Sequence, residues 1–146
     1  MCEALTEARK AYALGEVPIG AVIVKDREII ARGYNLREIL HDSTAHAEIM
    51  AMREAAKKLG DWRLTGTTLY STIEPCTMCG GAIVQFRVDR LVYGAPDLKA
   101  GAVDSVIDVV RDPRFNHRVE VMAGVLEDEC RAIIQQFFKD LRNKKN

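Results

Sequence analysis

The sequence predicts an α/β domain in which helices cover both faces of a mixed sheet. Two observations carry that prediction. Strand-like and helix-like stretches alternate in the order strand, strand, helix, strand, helix, strand between two terminal helical segments. The first strand, Ala21-Val22-Ile23-Val24, is apolar on successive residues, as expected where a sheet is buried on both sides.

Each element has a local reason. Residues 3–14 place Leu5, Ala8 and Tyr12 on one helical stripe, with Gly15 as the stop. Lys25-Asp26-Arg27 is a polar turn, so residues 28–34 read as the return strand of a hairpin. The polar loop 35–44 ends in Asp42-Ser43-Thr44, three good capping residues. A helix then runs from Ala45 to Leu59 and closes at Gly60. Its apolar residues form two stripes, Ala45, Ile49, Met52, Ala56, Leu59 and Ala47, Met50, Ala51, Ala55, which predicts a sandwiched helix.

The β-branched run at residues 67–73 reads as a strand. It leads into Pro75, which suits a helix start because its missing N–H has no partner there anyway, and a helix over 77–86 follows. Residues 90–93 form a further strand, closed by Gly94. The long connection 94–118 carries a predicted short helix at 105–110 and a basic cluster, Arg111, Arg114, His117 and Arg118. A last strand at 119–122 and a helix at 127–142 complete the chain. That helix carries a stripe of Cys130, Ile133, Ile134, Phe137, Phe138 and Leu141. The reading is one domain over 1–146.

Composition narrows the function classes. Of 146 residues, 48% are hydrophobic and 29% charged, as in ordinary soluble domains. The formal net charge is zero, so charge alone argues neither for nor against a polyanion partner. No stretch resembles a membrane span. Glu3, Glu7, Arg9 and Lys10 interrupt any signal-peptide core, and the expectation is a cytoplasmic protein. In a reducing compartment, paired cysteines are more often metal-binding or redox-active than structural.

The chemistry concentrates in two places. Cys76 and Cys79 are three residues apart at the start of a predicted helix, and His46 and Glu48 lie thirty residues upstream. One imidazole and two thiolates make three zinc ligands with a fourth position open. Residues two apart on a helix point about 200° from each other, so His46 and Glu48 share a site only beyond the helix's N-terminal end. Two helix N-termini therefore converge on one metal, their positive ends favouring thiolate and developing negative charge. Two thiolates cancel the metal's charge and weaken its Lewis acidity, so a nearby base is useful, and Glu48 is the candidate. Other readings stand beside this one. Cys130, Cys2, His41 or His117 would close the site as a structural fourth ligand, or the cysteines would form a redox pair.

His46-Ala47-Glu48 with Pro75-Cys76-Thr77-Met78-Cys79 matches the H-x-E and P-C-x-x-C signature of zinc deaminases, as that signature is generally given. Flanking residues extend the match: Val17 to Val22, Asn35, His41 to Glu48, Gly94 to Lys99, Phe115 to Glu120 and the Phe137-Phe138 helix. Across nearly the whole chain the sequence resembles the bacterial tRNA-specific adenosine deaminase family. Ser43 and Pro96 depart from residues common in that family.

The resemblance implies a three-layer α-β-α, cytidine-deaminase-like fold around a five-stranded mixed sheet. It implies one Zn2+ per subunit on His46, Cys76 and Cys79, with hydroxide attack at adenine C6 and Glu48 as proton shuttle. The implied reaction makes inosine from adenosine at the wobble position of a tRNA anticodon. Asn35 would contact the base and ribose, and Asp97 the nucleotide backbone. His117, Arg118 and Phe138 are further candidates for RNA contact. The implied partners are a tRNA anticodon stem-loop and a second copy of the chain, with no membrane. Two other functions stay open: a deaminase of a free base, nucleoside or nucleotide, and a non-catalytic zinc or RNA-binding subunit.

Overall fold

The computed structural model describes residues 1–145. In chain order the elements are α1 (Cys2–Ala13), β1 (Gly20–Lys25), β2 (Glu28–Tyr34), α2 (Ala47–Leu59), β3 (Thr67–Ile73), α3 (Thr77–Gln85), β4 (Arg90–Ala95), β5 (Glu120–Ala123) and α4 (Glu127–Lys145). The five strands form one sheet in the order β2-β1-β3-β4-β5. β1 pairs antiparallel with β2 and β3, and β3, β4 and β5 run parallel, so the sheet is mixed as expected.

Helices lie on both faces. α2 packs against α3 and the sheet, enclosing a core that includes Ile23, Met52, Leu69, Ile83 and Leu91. Each of these side chains is fully buried, and burying one such group contributes roughly 1.5–3 kcal/mol. α1 and α4 share the other face, where Leu5, Ala95 and Cys130 form a smaller cluster and Tyr12 meets Phe137 edge to face. β1 is buried from Gly20 to Ile23, in keeping with its unbroken apolar run. The hairpin turns at Asp26 and Arg27, both at positive φ, which matches the strands' right-handed twist.

Several boundaries differ from the sequence reading. α2 begins at Ala47, not Ala45, and its N-cap is His46. The expected capping residues are used elsewhere: Asp42 Oδ1 accepts from the Thr44 N–H at 2.8 Å and its hydroxyl at 2.7 Å, closing a local turn. Only one side of α2 is fully buried, and Arg53 and Glu54 on its far side are exposed. α3 stops at Gln85, one residue early. β4 runs through Gly94 to Ala95, where the Ala95 carbonyl accepts from the Glu74 N–H at 2.9 Å. β5 sits one residue later than expected, and α4 continues to Lys145.

The predicted helix at 105–110 does not form. The N–H groups of Val103, Asp104 and Ser105 are taken by the Glu74 carboxylate, and those of Val106 and Val109 by the Gly101 and Ala102 carbonyls. The α4 stripe is buried at Cys130 and Phe137 only, while Phe138 and Leu141 are exposed. The basic cluster is also neutralised in part, because Arg111 pairs with Asp104 and Asp108, and Arg114 with Asp112.

Candidate metal centre and substrate pocket

The parallel crossover from β3 through α3 to β4 delivers the cysteines. β3 ends at Ile73, and Glu74-Pro75 carries the chain to Cys76, the N-cap of α3. The first helical bond, from the Gly80 N–H to the Cys76 carbonyl at 2.7 Å, places Cys79 in the first turn on the same side. His46 caps α2 in extended conformation, with its carbonyl accepting from the Met50 N–H at 3.0 Å. Two helix N-termini thus meet over the C-terminal end of β3.

His46 Nδ1 lies 3.6 Å from Cys76 Sγ and 3.5 Å from Cys79 Sγ. All three donor atoms fall within 4.8 Å of one another. A tetrahedral zinc with Zn–S near 2.3 Å and Zn–N near 2.0–2.1 Å sets sulfur and nitrogen about 3.6 Å apart. The donor set therefore fits such a metal in kind and spacing. Among the described residues no fourth His, Cys, Asp or Glu completes the cluster. Cys130 belongs to the core on the opposite face, and His117 Nε2 is bonded to the Val88 carbonyl at 2.7 Å. Neither joins the cluster as the fourth ligand that a closed site requires.

Contacts within the cluster push its two thiols in opposite directions. Cys76 is pushed down to about 3, first by the hydrogen bond it receives from the Cys79 thiol, with the His46 imidazole adding to the effect. Cys79 is pushed far up because it keeps that proton and is buried. The Cys76 contact raises His46 against its partial burial. Glu48, on the first turn of α2, is 4% exposed. Burial raises its carboxyl above the ordinary range, while its own N–H and the His46 charge act the other way.

Over the cluster lies a cavity of about 240 Å³, walled by Val17, Ile19, Asn35, Glu48, Ile73 and Asp97, with Arg37 and Ala100 nearby. That volume is below the roughly 300–1,000 Å³ of drug-sized sites and suits one flat base held among apolar walls. Two buried glutamates hold the flanking loops. Glu16, 1% exposed, accepts from the N–H groups of Glu38 at 3.1 Å and Ile39 at 2.9 Å. Glu74, 2% exposed, accepts from the 97–105 loop. Burial alone would raise the Glu74 carboxyl, but the Ser105 hydroxyl and the loop N–H groups lower it on balance.

The fold brings Asn35, His46, Glu48, Cys76 and Asp97 into this one pocket, with Cys79 buried beside His46. Asn35 is also braced, donating to the Val17 carbonyl at 3.2 Å and accepting from the Arg37 N–H at 3.1 Å. His117, Arg118 and Phe138 are not among the pocket walls. His117 ties its loop to the turn after α3. Arg118 lines a separate polar hollow with Thr67, Thr68 and Asp89, at the other end of β3. Phe138 stands 40% exposed on α4, packed against Phe137. The sequence reading missed Arg37, Glu16 and Glu74. Glu74 lies beside the cysteine motif, and its place there was the one available signal.

A His-Cys-Cys cluster with a buried carboxylate at the pocket floor, set at the end of a parallel strand pair in a three-layer α/β domain, defines a metal-dependent deaminase. Residues 1–142 match the family model of the MafB19-like deaminases. The chain is 53% identical over 145 residues to a tRNA-specific adenosine deaminase of Bacillus subtilis, covering 99% of this chain and 90% of that protein. It also superposes on a structure from a study of A-to-I editing by tRNA:A34 deaminases at the wobble position of transfer RNA. There the TM-score is 0.86 with 49% identity, over 89% of this chain and 94% of that one. A guanine deaminase of Nitrosomonas europaea shares the fold at a TM-score of 0.80 with 25% identity, over 93% of this chain and 81% of that one. The chain belongs to the MafB19-like deaminases and, within them, to the bacterial tRNA-specific adenosine deaminase family.

Proposed function

We infer that the protein converts adenosine to inosine at the wobble position of a tRNA anticodon, releasing ammonia. The observation that carries this is Glu48, buried beside the His46-Cys76-Cys79 cluster on the floor of a base-sized pocket. The family relationship supplies the substrate.

His46, Cys76 and Cys79 would hold one zinc ion. When bound, zinc supplies Lewis acidity that makes water a stronger acid and nucleophile near neutral pH. Glu48 takes the proton that the attacking water gives up. It delivers that proton to adenine N1 as the new C–O bond forms at C6, then takes the remaining proton of the C6 hydroxyl and passes it to the amine, so that the C–N bond breaks, ammonia leaves and C6 becomes the carbonyl of inosine. Its raised affinity for a proton suits both transfers. Val17, Ile19 and Ile73 sandwich the base and exclude water, while Asn35 and Asp97 contact the nucleotide. An anticodon loop suits this pocket because its base is already unpaired and costs less to extrude.

RNA bound across a homodimer is part of the same proposal. Leu98, Val106 and Ile107 support it as exposed apolar residues on the loop that flanks the pocket. Molar mass by light scattering is expected to correspond to two chains.

The test is incubation of zinc-loaded protein with an anticodon stem-loop carrying a wobble adenosine, reading inosine at that position. Free adenosine, cytidine and guanine run alongside. Inosine only in the stem-loop is the expected result. Turnover of a free base or nucleoside alone would overturn the substrate assignment and keep the metal chemistry.

A further inference from the structure

We propose that Glu74 is a positioning residue for the substrate, acting as an anionic hub that holds the 97–105 loop as one wall of the pocket. The inference rests on the deaminase reading above. It concerns a residue outside the metal cluster that borders the same pocket while its carboxylate is turned to the loop.

Both carboxylate oxygens are consumed by the loop. Oε1 accepts from the Asp97 N–H at 3.1 Å and from the Ser105 hydroxyl. Oε2 accepts from the N–H groups of Val103 at 3.1 Å, Asp104 at 2.8 Å and Ser105 at 3.0 Å. Three successive backbone N–H groups aimed at one oxygen form an anion-binding nest, here filled by the protein's own side chain. Five donors on one carboxylate exhaust its roughly four lone-pair sites. Glu74 therefore acts on substrate through the residues it holds.

Those residues include the wall itself. Asp97 lines the pocket, and its Oδ1 accepts from the N–H groups of Lys99 at 3.1 Å and Ala100 at 3.2 Å. Gly101 makes the approach possible, since a Cβ there would lie 2.3 Å from the Glu74 carboxyl carbon and 2.4 Å from either oxygen. The loop is tied again by the Ala102 N–H to the Pro75 carbonyl at 2.8 Å. Asp104 is held in turn by the Tyr93 hydroxyl and by Arg111. One end of this network is the residue pair before Cys76, and the other is the substrate wall.

Gln has the same shape but presents an NH₂ to donors that need an acceptor. Glu74→Gln is expected to bind zinc one-to-one, as wild type does. The amides of Asp97, Val103, Asp104 and Ser105 should exchange hydrogen faster. KM for the stem-loop should rise about tenfold or more while kcat falls less than about threefold, the pattern of lost substrate binding. Glu74→Asp, which keeps the charge, should recover part of the KM. Ser105→Ala and Gly101→Ala disturb the hub while leaving the carboxylate, and they carry the same comparison if the Gln variant does not fold.

Unchanged exchange and unchanged KM in these variants would overturn the proposal. So would loss of zinc, or a fall in kcat without a rise in KM, since either puts Glu74's effect on the cysteines. If wild type makes no inosine, the function fails independently, and the substrate role proposed for Glu74 fails with it.

Discussion

His46 and Cys76 occupy equivalent places in two helices. Each is the N-cap of its helix, each is extended in backbone, and their Nδ1 and Sγ atoms stand 3.6 Å apart. An N-cap side chain normally turns back to its own helix, and neither of these does. Both are spent on the metal cluster, leaving helix N–H groups and positive helix ends directed at the same space. A site of this construction favours thiolates and negative charge developing on a reacting group.

Glu48→Gln should separate proton transfer from metal binding. Gln has the volume of Glu and lies outside the ligand set, so zinc stoichiometry is expected to stay at one per chain. Loss of a positioned proton carrier costs about 10²–10⁴ in rate, and inosine formation should fall by that much or more. Stability should not fall with it. The folded carboxyl is raised above its unfolded value, so the folded state holds the proton more tightly. Stability from this group is present at low pH and is lost as pH rises through the folded value. Metal-free Glu48→Gln should therefore melt no lower than metal-free wild type at neutral pH. Full activity in the variant would remove Glu48 from the mechanism.

Metal affinity should be strongly pH-dependent. The contact with Cys76, together with burial, raises the Cys79 thiol, and the same contact raises the His46 imidazole, so both groups hold protons more tightly than usual. Zinc requires both sites free of protons. Each proton displaced weakens apparent affinity about tenfold per unit fall in pH, over the range where that group is protonated. Competition against a chelator at three pH values near neutrality measures the slope. A flat profile would show that neither thiol nor imidazole gives up a proton on binding over that range.

Strands 28–34 and 67–73 match the sequence reading to the residue, because β-branched content and turn residues bound them on both sides. The grouping of His46, Cys76 and Cys79 was equally legible, since Cys-x-x-Cys and His-x-Glu carry their chemistry in local spacing. Less legible was what depends on distant partners. Asp42 and Thr44 have capping chemistry but satisfy each other, so α2 starts two residues later, at Ala47, with His46 as its N-cap. Residues 105–110 have a helix-like pattern, but the Val109 N–H, which a helix would direct to the Ser105 carbonyl, goes to the Ala102 carbonyl instead, in a loop gathered around Glu74 some thirty residues earlier. Arg111 and Arg114 are basic in sequence and paired in space. Long-range hydrogen bonding decided these cases, and no local propensity reports it.

Gly33→Ala should damage the site from beneath the sheet. A Cβ at residue 33 would lie 2.4 Å from the Ala47 carbonyl oxygen and 2.7 Å from the Ala51 nitrogen. Both are backbone atoms of α2, so relief requires the helix to move. Overpacking of this kind costs roughly 1–3 kcal/mol. At this chain length that is about 2–4 °C in Tm per kcal/mol. His46 and Glu48 ride on the same end of α2, so zinc affinity should weaken along with the melting temperature. A variant that melts lower but binds zinc as tightly as wild type would show that the head of α2 is held independently of its contact with β2.

Among the described residues Arg37 is the one Lys or Arg lining the pocket, and its test is salt rather than rate. Its side chain is 51% exposed and lies 3.6 Å from Glu38, a surface pairing that contributes little. A guanidinium in that position is available to a phosphate next to the inserted base. Each phosphate contact steepens the fall of log affinity with log salt by about 0.7–0.9. Arg37→Ala should therefore weaken stem-loop binding at low salt, reduce the slope by about that amount, and converge on wild type as salt rises. Its kcat at saturating RNA should change little, since Arg37 is not placed at the reacting atoms. Asn35 offers the internal control. It is braced by Val17 and by the Arg37 N–H, both of which survive the substitution, so the pocket wall keeps its shape. An unchanged salt slope would mean that Arg37 meets no phosphate, whatever happens to affinity.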